Sequence, residues 1–203
     1  MSPERPDRAE SLVLPQPVLR GERSLEEAMA ARRSVRSFAE RSLSQAEVGQ
    51  LLWAAQGITN RQGDRTSPSA GGLLPLETYV VSPDGVHHYE PRSHRLKRTA
   101  HGDRRLSLFQ VALEQEPLRD APVTFVLAAV YRRTARKYGD HRARRYVHLE
   151  AGHAAQNLLL QAVVLGLGAV VIGAFEDDEV QAVLSLPAEH QPVYLIPVGE
   201  PVD

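Results

Sequence analysis

The spacing of hydrophobic and polar positions along this chain marks five helices. Apolar residues recur at three- and four-residue intervals over residues 44–56 and 148–165, which is the pattern of a helix with one buried face. Two helices open with a capping box, a serine followed three residues later by a glutamate: Ser24 with Glu27, and Ser44 with Glu47. The predicted helices cover residues 24–31, 44–56, 104–116, 148–165 and 177–184.

Five apolar runs bounded by turn residues predict strands. The run over 123–131 is apolar at nearly every position, which is typical of a central strand that is covered on both faces. Pro83-Asp84-Gly85 joins two of the runs as a tight hairpin. Because a hairpin makes antiparallel neighbours, we predict a mixed α+β domain rather than a parallel doubly wound sheet. The predicted strands cover residues 76–82, 86–89, 123–131, 169–175 and 193–198.

Composition and charge narrow the function classes. The 203 residues include no cysteine, which excludes disulfides, a thiolate nucleophile and cysteine metal ligands, and fits a cytoplasmic location. The 24 basic and 25 acidic residues give a net charge of -1, so no overall positive field attracts nucleic acid. No apolar run is long enough to cross a membrane, and no membrane association is predicted. Residues 1–22, rich in proline, are predicted to form an extended arm before one domain over 23–203.

A cluster of arginines follows the first predicted helix. The segment Arg32-Arg33-Ser34-Val35-Arg36-Ser37-Phe38 holds three guanidiniums and two hydroxyls. A guanidinium presents a planar fork of donors that matches a phosphate or a carboxylate. From these residues alone, Arg32, Arg33, Ser34 and Arg36 are either an anion clamp beside a cavity or a solvated turn.

Two segments of small residues could bring bare backbone close to a flat ligand. One is Pro68-Ser69-Ala70-Gly71-Gly72, and the other is Gly173-Ala174, which we expect at the end of a strand. Small side chains permit close approach, and free amides can donate hydrogen bonds to the ligand. The alternative for the first segment is a loop before a strand that needs only flexible residues.

Motifs for metal binding and for serine hydrolysis are missing. His148 and His153 are five residues apart, whereas two ligands on one helix face are four apart. The pattern Gly-x-Ser-x-Gly does not occur. We therefore predict no metal site and no serine nucleophile.

Taken in order, these motifs resemble the FMN-dependent nitroreductase family, and within it the branch that includes azoline (thiazole/oxazole) dehydrogenases. The resemblance covers roughly residues 24–201 and rests on the ordered set rather than on any one motif. The matching segments are Arg32-Arg33-Ser34-Val35-Arg36-Ser37-Phe38, Leu51-Leu52-Trp53-Ala54-Ala55-Gln56-Gly57, Pro68-Ser69-Ala70-Gly71-Gly72, Gly152-His153-Ala154-Ala155-Gln156-Asn157-Leu158, Leu165-Gly166-Leu167 through Phe175, and Pro197-Val198-Gly199.

The resemblance implies a largely antiparallel central sheet flanked by helices, in an intertwined homodimer with FMN at the subunit interface. By that match, Arg32, Arg33, Ser34 and Arg36 hold the phosphate and ribityl chain of FMN. Pro68, Ser69, Ala70 and Gly71 lie at the flavin ring from the opposite subunit, and Gly173 and Ala174 offer backbone N–H groups near its reactive nitrogen. Many family members carry a basic C-terminal segment, which the ending Gly199-Glu200-Pro201-Val202-Asp203 does not match, so we expect the arginines to neutralise most of the phosphate.

Lys137-Tyr138 resembles the adjacent lysine and tyrosine that azoline dehydrogenases use for proton handling beside the flavin. Proton abstraction coupled to hydride transfer needs a base with a pKa lowered toward neutrality, which a desolvated lysine can supply. The pair lies in the basic stretch 132–145, however, which is also typical of a solvated helix.

These features predict an FMN-dependent oxidoreductase that works by ping-pong hydride transfer. One version reduces nitroaromatic or quinone acceptors with NAD(P)H, and the other dehydrogenates an azoline-like small-molecule or peptide substrate. A non-catalytic flavin-binding assembly subunit is the alternative. RNA binding through residues 132–145 is a third class, against which the overall charge argues.

Overall fold

The most apolar stretch of the chain forms the central strand of a mixed sheet-and-helix fold. In the computed structural model, which describes residues 11–202, every residue of the strand Val123–Ala129 is buried. Its antiparallel neighbours are Leu76–Ser82 on one side and Gln191–Gly199 on the other. The sequence therefore predicted correctly that this run is central.

Within residues 11–202, seven strands form one sheet in the order β1-β4-β3-β2-β5-β7-β6, and neighbouring strands are antiparallel. The predicted α+β class and the largely antiparallel sheet are confirmed. The strands are β1 Ser11–Val13, β2 Leu76–Ser82, β3 Gly85–Glu90, β4 Arg95–His101, β5 Val123–Ala129, β6 Gly168–Ala169 and β7 Gln191–Gly199.

Helices flank this sheet, and the two predicted capping boxes are both present. Ser24 and Glu27 exchange hydrogen bonds at the start of α1, and Ser44 and Glu47 do so at the start of α2. Each such cap stabilises its helix by about 1 kcal/mol. The helices are α1 Leu25–Ala31, α2 Gln45–Gln56, α3 Arg105–Val111, α4 Pro117–Asp120, α5 Tyr131–Tyr138, α6 Asp140–Val164 and α7 Asp177–Val183.

Side chains of the central strands alternate between two hydrophobic clusters, one on each face of the sheet. Phe125 and Leu127 face the cluster that α2 and α6 complete, whereas Val126 belongs to the cluster that includes Leu108 of α3 and Val180 of α7. This alternation follows from the two-residue period of a strand. The packing fixes α6 against one face of the sheet, where it also contacts α5 and the turn over residues 70–72.

Several predicted boundaries are wrong. The run over 169–175 is not a strand, because only Gly168–Ala169 pairs in the sheet and Ile172 adds one isolated bridge to Leu195. The predicted strand 123–131 ends at Ala129, and its last residue starts α5. The predicted helix 104–116 ends at Val111, and α6 begins eight residues before the predicted start at His148.

Two strands, β1 and β4, were not predicted. In β4 only Leu96 and Ala100 are buried, and the residues around them are polar or basic, so no apolar run marks the strand. Residues 11–13, inside the predicted arm, form β1 and pair with β4. The first ten residues of the arm lie outside the described range, and the arm and domain division stays a prediction.

Candidate active site

The arginine segment is anchored along β6. The backbone N–H of Val35 donates to the carbonyl of Ala169 at 3.0 Å, and Ser34 forms a parallel bridge with the same residue. Gly168 makes this approach possible, because a Cβ there would lie 2.6 Å from the Cβ of Val35. A glycine is thus required where the segment crosses the strand.

Within this segment the guanidinium groups are not equivalent. The guanidinium of Arg33 donates to the carbonyls of Ala30 and Arg32, at 2.9 and 2.8 Å, at the C-terminal end of α1. Arg32 and Arg36 make no side-chain hydrogen bond or ion pair with any residue of the described range 11–202. Ser34 is exposed. A cavity of about 260 Å³ adjoins the segment and is lined by Arg33, Val35, Gly168 and Ala169 among others.

The predicted small-residue loop packs against the predicted lysine and tyrosine. Ala70–Gly72 forms one 3₁₀ turn in which Gly71 has a left-handed φ of 64°. A Cβ at Gly71 would lie 2.7 Å from the hydroxyl oxygen of Tyr138 and 3.0 Å from Nζ of Lys137. The structure therefore brings two predicted parts of the site into contact within one protomer.

Tyr138 is held from a second side by α6. Its ring meets that of Tyr146 edge to face, with centroids 5.0 Å apart. The Nζ of Lys137 lies 5.4 Å from the centre of the Tyr138 ring, a distance that allows a cation–π contact. Lys137 is exposed in the single protomer and Tyr138 is half-buried, so the amine of Lys137 is accessible beside the loop.

A half-buried cluster of ionisable side chains fixes α5 to the sheet. The guanidinium of Arg133 donates to the carbonyl of Leu74 at 2.8 Å and to the carboxylate of Glu77. Nε2 of His88 lies 2.7 Å from the other oxygen of Glu77. Burial alone would raise the pKa of Glu77, but hydrogen bonds from His88 and Arg133 outweigh it and lower the pKa to about 2. Arg133 is one turn before Lys137, so this cluster positions the pair.

The sequence reasoning missed one group beside the loop, Glu150 of α6. Its side chain is buried, with 3% exposure, and neither carboxyl oxygen has a hydrogen-bond partner within ordinary geometry. Burial raises the pKa of Glu150 to about 7, against the opposing effects of Ser69, Ala70 and Arg65. A glutamate in a helix normally faces solvent, and no local signal in the sequence indicates that Glu150 is buried.

Gly173 and Ala174 do not end a strand, because the sheet pairing of β6 stops at Ala169. Both are exposed. The carbonyl of Ala174 accepts a hydrogen bond from the side-chain amide of Gln115 at 2.7 Å, and a Cβ at Gly173 would lie 3.5 Å from the ring of Tyr194. The predicted strand-end placement of their N–H groups is wrong, whereas their role toward a ligand stays a prediction.

The predicted site residues thus form separate groups in one protomer. The arginine segment lies against β6, and the loop 68–72 lies against α5. Over residues 11–202, no hydrogen bond or ring contact joins the two groups. The same range holds no cluster of three or more acidic or histidine side chains suited to a metal ion, and none of its helices is long and apolar enough to span a membrane.

Comparison with known proteins gives the family. The profile that describes the nitroreductase family matches residues 29–200. The chain belongs to the nitroreductase family. It is therefore related to a family of oxidoreductases, as the ordered motifs predicted.

Individual relatives agree with this assignment. A Methanocaldococcus jannaschii protein named as a nitroreductase is 41% identical over 185 residues, which are 88% of this chain and 92% of that protein. A Ralstonia eutropha JMP134 crystal structure, also named as a nitroreductase, superposes with a TM-score of 0.85 at 26% identity, over 96% of this chain and 90% of that one. The trifolitoxin operon protein TfxC of Rhizobium leguminosarum bv. trifolii is 26% identical over 190 residues, but these span only 53% of its length and 83% of this chain.

Proposed function

We propose that the protein is an FMN-dependent oxidoreductase that works by ping-pong hydride transfer and couples it to proton transfer at Lys137 and Tyr138. Family membership supports the flavin and the oxidoreductase class. The observation that carries the proton-coupled version is the contact of Gly71 with the Tyr138 hydroxyl and Lys137 Nζ. A proton-handling pair beside a small-residue loop suits the dehydrogenation of an azoline-like small molecule or peptide.

The residues present fit FMN. Arg32 and Arg36 offer guanidiniums that no described side chain occupies, and the glycine at 168 keeps their segment close to β6. These groups would bind the phosphate, with Ser34 as a further donor. Pro68, Ser69, Ala70 and Gly71 would border the ring. When bound, FMN supplies a centre that accepts a hydride from one substrate and delivers it to the next.

The chain's own residues supply the rest of the chemistry. Dehydrogenation removes a hydride and a proton from the substrate, and Nζ of Lys137, in its neutral form, would take up the proton. The hydroxyl of Tyr138 is placed to hydrogen-bond the same substrate atom or to pass the proton on. Arg133 and Glu77 hold α5 in place, so the pair is presented at a fixed position above Gly71.

A second copy of the chain would complete the site. The arginine segment and the loop 68–72 form separate groups within one protomer, which supports a homodimer with FMN at the interface. Gly173 and Ala174 would then present their exposed amides toward the ring. The charge balance and the absence of cysteine favour a cytoplasmic enzyme with no nucleic-acid partner.

NAD(P)H-driven reduction of a nitroaromatic or quinone acceptor is the second candidate activity. The relative named as a nitroreductase, 41% identical over most of both chains, favours it. The two reactions differ in one requirement, because only dehydrogenation needs a base at Lys137.

Lys137→Ala tests the proposal, with Arg136→Ala as its control. Arg136 is also exposed on α5, and the three atoms nearest to a Cβ at Gly71 belong to Tyr138 and Lys137 instead. We expect Lys137→Ala to lose dehydrogenation of a thiazoline- or oxazoline-containing peptide by at least about a hundredfold, which is the usual size of a general-base effect. NAD(P)H-dependent nitro reduction should persist in both variants. Equal dehydrogenation by Lys137→Ala and Arg136→Ala would show that Lys137 is not the base. A wild-type protein that binds FMN but is inactive in the dehydrogenation and nitro-reduction assays would indicate an assembly subunit.

A further inference from the structure

Glu150 is a buried carboxyl group that the proposed reaction does not use. It lies near the middle of α6 and is 3% exposed. Both of its oxygens are shielded from solvent, and neither meets a donor in hydrogen-bond geometry. A buried carboxyl without partners is costly, since it loses water without gaining an equivalent bond. We therefore expect this carboxyl group to have a role in the protein.

The groups around Glu150 belong to the candidate site. The Ser69 hydroxyl and the Ala70 backbone N–H lie close enough to lower the pKa of the carboxyl, although neither completes a hydrogen bond in this geometry. Arg65 faces the carboxyl from the segment after α2. Its terminal nitrogen donates to the carbonyl of Gln56 at 2.8 Å, while its buried Nε has no partner. A small shift of the loop would thus engage the Ser69 hydroxyl and the Ala70 N–H with the acid, beside the positive charge of Arg65.

Two routes connect Glu150 to the lysine and tyrosine pair. Ser69 and Ala70 lead directly into Gly71, which contacts Tyr138 and Lys137. Along α6, Tyr146 lies four residues before Glu150 and packs against the ring of Tyr138. Residues four apart on a helix share one face, so Glu150 and Tyr146 border the same loop. A displacement of Ser69 and Ala70 would therefore change the position of Gly71 relative to Lys137 and Tyr138.

We propose that Glu150 is a positioning residue whose protonation state sets how tightly Ser69 and Ala70 are held, and thereby where Gly71 meets Lys137 and Tyr138. This inference rests on the proposed function for its role in catalysis. The ionised carboxylate accepts the Ser69 hydroxyl and the Ala70 N–H as charge-assisted hydrogen bonds and draws the loop toward α6. The protonated acid accepts weaker hydrogen bonds from Ser69 and Ala70, so the loop is held less tightly against α6.

Proton exchange at Glu150 falls near neutrality. Burial raises its pKa to about 7, and Ser69, Ala70 and the positive charge of Arg65 limit the rise. The other titratable groups next to the loop are Lys137 and Tyr138 of α5 and Tyr146 of α6. The loop should therefore be held tightly above about pH 7 and loosely below it.

Amine acylation tests this without a cofactor. Lys97 and Lys137 are the two lysines of the chain, and both are exposed, so Lys97 serves as an internal reference. The ratio of Lys137 to Lys97 acylation, measured by mass spectrometry, should change at least about threefold between about pH 6 and about pH 8.5 in the wild type. It should stay constant in Glu150→Gln. Glu179→Gln, at an exposed position of α7, should behave as the wild type.

Glu150→Asp is a second variant, which keeps the carboxyl group but shortens the side chain by one methylene. Above about pH 7 its ratio of Lys137 to Lys97 acylation should differ from that of the wild type. In the FMN-loaded enzyme, Glu150→Gln should lower kcat for dehydrogenation on the order of tenfold, with KM and FMN affinity within about twofold. Identical acylation ratios in wild type, Glu150→Gln and Glu150→Asp would overturn the inference. Failure to bind FMN would instead defeat the proposed function, while the acylation ratio would still decide the role of Glu150.

Discussion

Gly71 lies so close to the hydroxyl oxygen of Tyr138 that a Cβ there would be 2.7 Å from it. The two residues belong to different parts of the fold, a 3₁₀ turn before β2 and the last turn of α5. Their contact joins a loop suited to a flat ligand with a pair suited to proton transfer. The proposed proton transfer at Lys137 and Tyr138 therefore depends on this contact.

Gly71→Ala should disturb the contact, and Gly72→Ala is its matched control. The two glycines have nearly the same left-handed φ, 64° and 66°, but a Cβ at Gly72 meets nothing within 4 Å. Both variants should lose about 1 kcal/mol of unfolding free energy from backbone strain. Only Gly71→Ala should lose dehydrogenation, by about tenfold or more, because its methyl displaces Tyr138 and Lys137. Equal activity in the two variants would show that the contact is structural only.

Arg32→Ala and Arg36→Ala should weaken FMN binding through the phosphate. Each removes a guanidinium that has no partner among the described side chains, and a charge-assisted hydrogen bond contributes about 1.5–3 kcal/mol. The dissociation constant for FMN should rise about 10-fold or more, while that for riboflavin, which lacks the phosphate, should stay within about twofold. Arg61→Ala, at an exposed loop residue, is the control. Equal losses for FMN and riboflavin would contradict a phosphate role.

Glu150→Gln should stabilise the fold, but only at high pH. The carboxyl has a pKa raised from 4.5 to about 7, so its folded form binds a proton that the unfolded chain has released between these values. Wild-type stability therefore falls as pH rises from about 4.5 to about 7 and stays lower above it. Urea unfolding should show Glu150→Gln more stable by about 2–3 kcal/mol at about pH 8.5 and nearly equal to wild type at about pH 4.5. A constant difference across this range would contradict the buried acid.

Glu77→Gln should act in the opposite direction. Its pKa of about 2 is lower than the ordinary 4.5, so the Glu77 carboxylate, which accepts from Arg133 and His88, stabilises the fold above about pH 4.5. This contribution is lost as pH falls toward about 2. We expect a loss of about 1–3 kcal/mol at neutral pH, since Arg133 is left without its main partner. Glu189→Gln breaks the exposed pair with the neighbouring Arg132 and should cost less than about 1 kcal/mol. Similar losses in both variants would argue against the cluster as the anchor of α5.

Local signals in the sequence predicted much of the fold. The capping boxes at Ser24 and Ser44 give two helix starts, and the bounds of β2 agree with its apolar run, because both signals lie within a few residues. The strand β4 was not predicted because only two of its residues, Leu96 and Ala100, are buried. The run after β6 was predicted as a strand because it is apolar, but Val170 and Ile172 are buried in the cluster of Leu108 and Val180, and Ile172 makes only one isolated bridge to Leu195.

The site was predicted as segments rather than as an arrangement. The arginine segment, the small-residue loop and Lys137-Tyr138 were each identified from residue type and order. The contact of Gly71 with Tyr138 could not be predicted, since it depends on how α5 leaves the sheet after β5. Glu150 could not be found either, because burial of a single charge is decided by the packing of α6 against a loop that is distant in sequence.

The absorption spectrum of the purified protein during FMN titration, with the mass of any cofactor it releases, tests the central claim most directly. We predict one FMN per protomer, a flavin spectrum that is perturbed on binding, and bleaching of that spectrum by a reducing substrate under anaerobic conditions. Arg32→Ala and Arg36→Ala should require more FMN to reach the same spectrum. A colourless protein whose spectrum shows no binding of added FMN would contradict the proposal that this chain is a flavin-dependent oxidoreductase.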